Sequence, residues 1–153
     1  MGDDIHAELK KLLNERIVVL DGAMGTTIRE YGLDESAARG ERFEAIKKDI
    51  LNNGDILSIT QSDVIGDIHR KFFEAGSDIA STNTFSATTL AQSEFFVDDP
   101  RETGKGVKDQ EFFQKIIEDN FLRDLTWEIN YKSAQLCRKW ADRVSNDCGK
   151  KSM

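Results

Sequence analysis

Two short runs that suit β-strands bracket one strong helical stripe, and this order constrains the chain more than any other feature. Ile17-Val18-Val19-Leu20 is a continuous apolar run, mostly β-branched, that ends at once in Asp21-Gly22. A run of that kind, closed by a turn signal, suits a strand buried on both faces, as in parallel sheets. Asp78-Ile79-Ala80-Ser81-Thr82 predicts a second strand running into Asn83-Thr84-Phe85. Between them Val64, Ile65, Ile68, Phe72 and Phe73 form a helical stripe, with Ser62 as N-cap and Gly76 as stop. Strand, long connection with a helix, strand is the pattern of a parallel βαβ unit with a right-handed crossover.

The flanking segments read mainly as helix. Residues 3 to 14 place Ile5, Leu9, Leu12 and Leu13 on one face, with Asp3 or Asp4 as cap. Gly25 to Tyr31 can start a helix that Gly32 stops. Residues 33 to 54 are polar and irregular, and Ile56 to Ile59 reads equally as a strand or as a lead-in to the next helix. A helix is expected from Thr88 to Phe96, then a charged, glycine-containing loop from Arg101 to Asp109. Gln110 to about Val144 is helical by pattern, with Asn120 as a break. Two strands cannot close a sheet on themselves, so the pattern predicts an incomplete domain.

Composition excludes several partners. A net charge of -7 argues against nucleic acid, which needs a clustered basic surface. No apolar run is long enough to cross a bilayer, and the start MGDDIHAELKK lacks the basic and apolar regions of a signal peptide. Ala7 also removes the myristoylation motif that Met1-Gly2 would begin. The expected location is the cytoplasm. Cys137 and Cys148 form neither a disulfide framework nor a zinc motif and read as reduced thiols.

Chemistry is expected where parallel strands end. The first strand delivers Asp21-Gly22-Ala23-Met24-Gly25-Thr26. A carboxylate there can hold a substrate ammonium, a charge-assisted bond worth roughly 1.5–3 kcal/mol once water is excluded. Gly22 and Gly25 let backbone amides approach a ligand, and amides at a helix start suit a carboxylate. One group for each end of a zwitterion is what an amino acid requires. An Asp-Gly pair after an apolar run can equally be a hairpin turn, although no second alternating strand follows. The second strand delivers Thr82-Asn83-Thr84, whose polar side chains could bind a ligand or simply cap a loop. The loop lacks the glycine spacing of the phosphate-binding motifs.

Taken together, RIVVLDGAMGT, RGERF (Arg39 to Phe43), NNGDILSITQSDVIGDIHRKFFEAGSDI and TNTFSATTLAQ resemble the N-terminal homocysteine-binding module of the cobalamin-dependent methionine synthases, in the homocysteine S-methyltransferase family. The resemblance runs from about Arg16 to Phe95 and resumes more weakly from Glu128 to Asp142. It implies an α/β fold: a partial (β/α)8 TIM barrel of two βα units plus helices, incomplete at the C-terminus. It also implies methyl transfer to the homocysteine thiol, giving methionine. Asp21 would hold the homocysteine amino group. The backbone at Gly22, Ala23 and Met24, with Thr84 nearby, would place the carboxylate, and Thr82 and Asn83 join the substrate-binding set.

The resemblance also divides the chain. Residues 1–15 would be an N-terminal helix, 16–96 the start of the homocysteine-binding barrel and 97–125 an extra charged, helical insertion. Residues 126–144 would be the helix after strand two, and 145–153 a disordered tail. Three departures matter. The family's zinc cysteines lie in downstream GxNC-like and GGCCG-like segments that this sequence lacks, so Cys137 takes no zinc role. Ser81 stands where the family motif usually reads ETNTF, and the 97–125 stretch exceeds the family's short link. No cofactor is therefore expected on this chain; zinc and cobalamin are implied for the full-length family member. The expected function is that of a truncated methyltransferase, inactive alone, with homocysteine as partner. The alternative is a non-catalytic binding or interaction module that self-associates through exposed strand edges.

Overall fold

The computed structural model describes residues 4–102, 104 and 106–148, with Cys148 described as far as its backbone. Asp3 as a helix cap, the Met1-Gly2 start, the Cys148 thiol and residues 149–153 of the expected tail lie outside the described residues. The first helix, α1 (Ile5–Glu15), begins at Asp4, whose carboxylate accepts from the His6 and Ala7 amides. Its apolar stripe finds no full cover, since none of its residues is buried. Next come α2 (Met24–Glu30) and α3 (Glu35–Arg39). A 3-10 turn (Gly54–Ile56) then leads into α4 (Leu57–Thr60), which resolves the 56–59 ambiguity as helix. The remaining helices are α5 (Ser62–Glu74), α6 (Thr89–Phe96), α7 (Gln110–Glu118) and α8 (Asn120–Cys148).

The expected α/β fold, a partial (β/α)8 barrel, is not what the chain forms. Helix is the regular structure of the described residues, with no strand and no sheet among them. The two expected strands meet at a single parallel bridge, Leu20 with Ile79. Asp21 N donates to Ile79 O at 2.9 Å, and Asp78 N donates to Val19 O at 2.8 Å. Arg16 and Asp78 form a bidentate ion pair at 2.5 and 2.6 Å beside the bridge, and Val19 N donates to the same carboxylate. The reason the ladder stops there is burial. Parallel strands persist when both faces are covered, yet Ile17 is 85% and Leu20 59% exposed. Without cover the β-branched run gains little from lining up further.

What holds the chain together is helix packing, chiefly α5 against α8. Ile65, Ile68 and Phe73 of the expected stripe are buried. Gly66 lets the two helices meet closely: a Cβ there would fall 2.4 Å from Trp140 Nε1. A second cluster joins Phe43, Ile50, Ile56 and Ala87 to Leu125 and Ile129 of α8. Leu122 and Leu125 lie in the stretch expected to be an insertion, yet both are buried. Helix α8 runs unbroken through 125/126; the break falls at Asp119, which is extended and caps Leu122 N. Gln61, rather than Ser62, precedes α5, and Gly76 at φ +107° ends it. The polar 33–54 stretch hides α3, capped by Asp34 through Ala37 N. Glu35 then accepts from the Ile50 and Leu51 amides and ties this stretch down.

Candidate functional site

The glycine-containing turn and the threonine-rich turn face each other across an open groove of about 820 Å³. Its lining includes Ala23, Met24, Gly25 and Thr26, Ser81 to Ser86, and Asn52 to Asp55. Of the expected site residues, Ala23, Met24, Thr82, Asn83 and Thr84 line this groove. Asp21 and Gly22 stand outside its wall, but Asp21 is tied to it: Oδ1 accepts from Ser81 N at 2.9 Å. That bond uses the backbone of residue 81, so it does not depend on the side chain there. Among the described residues no hydrogen bond is made to Asp21 Oδ2. The strained residue of the first turn is Ala23, left-handed at φ 48°; Gly22 and Gly25 are not among the glycines at positive φ. A non-glycine residue there costs roughly 1–2 kcal/mol, which the surrounding structure must offset.

The second turn is held from behind by buried polar groups. Asn83 Nδ2 donates to Gly54 O at 2.8 Å and to Ser58 Oγ at 3.1 Å. Its amide nitrogen is therefore spent inward rather than on a ligand. Ser133 Oγ, on α8, lies 2.7 Å from Ser58 Oγ and 3.1 Å from Asn83 O. Asp55 accepts from Phe85 N at 3.0 Å and Ser86 N at 2.7 Å, one bond on each carboxylate oxygen. Gln92 and Asn53 pair their side-chain amides, and Gln92 also reaches Ser86 O. What the turn offers outward is the Thr82–Thr84 hydroxyl pair, 2.8 Å apart, and the wholly exposed Phe85 ring.

Burial sets the electrostatics. It raises the Asp55 carboxyl above its ordinary value, partly countered by the Ser86 and Phe85 amides. It lowers His69 below the usual imidazole value, against the opposing pull of Asp21. His69 is fully buried on α5, with neither ring nitrogen hydrogen-bonded. Burial likewise raises the Cys137 thiol, and the negative charge of Asp21 adds to the effect. Cys137 Sγ faces Ala80 O at 4.0 Å. Among the described residues no three His, Cys, Asp or Glu side chains stand together where they could hold a metal ion.

Asp55, Asn53, Ser58, Gln92 and Ser133 escape a reading of the sequence. Asn52-Asn53-Gly54 gives only a turn signal, and the others are ordinary polar residues on helices. A polar residue on the apolar face of a helix, as Ser133 is between Ile129 and Leu136, is the one cue available.

The groove is lined by two loop segments, and the Asp21 carboxylate is tied to one of them through Ser81 N. A family model described as homocysteine S-methyltransferase matches residues 18–152, and the chain belongs to that family. Homocysteine is the family's substrate.

Proposed function

We propose that this chain holds the amino-acid end of homocysteine in the groove between residues 21–26 and 81–86, as in the methionine synthase type of methyltransferase. Asp21 carries the reading. Its Oδ1 is fixed by Ser81 N, which leaves Oδ2 to meet a substrate ammonium. The backbone of Gly22, Ala23 and Met24 receives the carboxylate, and the Thr82 and Thr84 hydroxyls steady it. Asn83 serves the same site from beneath. The zinc and cobalamin implied by the family reading are not carried by this chain, and the purified chain binds homocysteine without turning it over. Titration calorimetry with L-homocysteine provides the test. Asp21→Asn is expected to weaken binding severalfold while the fold persists by circular dichroism; unchanged binding would discard the assignment.

A second reading rests on exposed apolar side chains. Ile17, Val19, Leu20 and Phe85 all face solvent. On this reading the chain self-associates through these segments as an interaction module. Sedimentation velocity over a range of concentrations decides it. A species that stays monomeric throughout removes this alternative, and a mass that grows with concentration supports it.

A further inference from the structure

We infer that Asp55 is a positioning residue of this site, setting the shape of the 82–86 turn so that its hydroxyls face the ligand. The inference rests on the homocysteine reading and adds a residue that neither turn contains. Asp55 is 4% exposed and is among the residues that line the groove. Each of its carboxylate oxygens takes one consecutive backbone amide, Phe85 N and Ser86 N. Its neighbour Gly54 offers the carbonyl that accepts from Asn83. Two adjacent residues of the 3-10 turn thus grip the 83–86 turn at both ends.

The consequence is directional. With the Phe85 and Ser86 amides and the Asn83 side chain all turned inward, Thr82 and Thr84 remain to meet a ligand. An ionised carboxylate suits this work because it accepts on both oxygens and donates on neither. An asparagine would keep one acceptor and turn a donor toward the second amide. The two-sided grip would be halved with almost no change in shape. Burial raises the Asp55 carboxyl, and no charged side chain is among the causes. Arg29 is the other charged side chain lining the same groove.

The experiment compares wild type, Asp55→Asn and Val144→Ala, a truncation in a cluster away from the groove. For each, amide exchange at Phe85 and Ser86 is followed by NMR, and L-homocysteine affinity is measured by calorimetry between pH 4 and 8. Asp55→Asn is expected to speed exchange at those two amides and weaken homocysteine about tenfold, the loss of one charge-assisted bond. Its affinity should also decline less steeply toward acid pH than wild-type affinity is expected to. Val144→Ala should leave affinity and pH profile as in wild type. Faster exchange with unchanged affinity would overturn the inference and leave the homocysteine reading standing. Wild-type chain that binds no homocysteine would overturn both. Should Asp55→Asn fail to fold, the wild-type titration decides: amide shifts of Phe85 and Ser86 must move with the same pH midpoint as affinity, and separate midpoints overturn the inference.

Discussion

The α5–α8 packing and the paired 17–20 and 78–82 segments both carry apolar side chains, but only the first buries them fully. On α5 and α8 the apolar residues fall on one face and meet another apolar face, so Ile65, Ile68, Leu122, Leu125 and Ile129 are all essentially inaccessible. Ile17, Val19 and Leu20 have neighbours on too few sides and stay exposed. Hydrophobic stabilisation follows the area removed from water, about 25 cal/mol per Å², and not the apolar character of a residue. The bridge at Leu20 and Ile79 is consequently fixed by polar contacts, the Arg16–Asp78 pair and a few backbone bonds.

Ile129→Ala should do the most damage, about 2–5 kcal/mol in urea unfolding, because it leaves a cavity in the closed part of the core. Gly66→Ala sharpens the same point. Helix propensity alone would favour alanine by about 1 kcal/mol, yet the clash with Trp140 should reverse the sign and cost about 1–3 kcal/mol. A change in tryptophan emission should accompany it. A stabilised Gly66→Ala would mean that the two helices stand further apart.

His69 lies on the buried side of the comparison but carries a cost. Burial makes its charged form unfavourable, so its folded value is depressed below the ordinary imidazole value of about 6.5. The stability it contributes is present above that pH and is lost as pH falls through the folded value. His69→Leu should therefore leave stability at pH 7.5 unchanged or higher by about 1 kcal/mol. It should also flatten the decline in acid, measured by thermal unfolding across pH; an unaltered slope would assign that decline to other groups. Leu20→Ser should have the smallest effect, within about 0.5 kcal/mol. A larger loss would break the comparison by showing that the apolar run is buried in solution.

Helices were legible from the sequence where a local signal and a packing partner agree. The Val64 to Phe73 stripe and the Gly76 stop are of that kind, and so is the 110–148 pattern. The strands were not, because a β-branched run states a preference that only neighbouring strands can satisfy. Asp34 capping α3 was hidden in a stretch dominated by charge. The site divides in the same way. Asp21, Ala23 and Thr84 stand at loop starts, where a sequence draws attention, and Ala23 and Thr84 line the groove. Asp55, Ser58 and Ser133 act through distant partners, 30 and 75 residues apart in the chain, and no local pattern announces such pairs.

The central claim is that the two turns form one ligand groove, and amide shift mapping with L-homocysteine reaches it most directly. Perturbations are expected at 21–26, 52–55 and 81–86. A second open groove, of about 740 Å³ beside Lys132, Arg138 and Lys139 on α8, should stay silent. Shifts confined to that α8 groove, or none at ligand saturation of other family members, would contradict the claim.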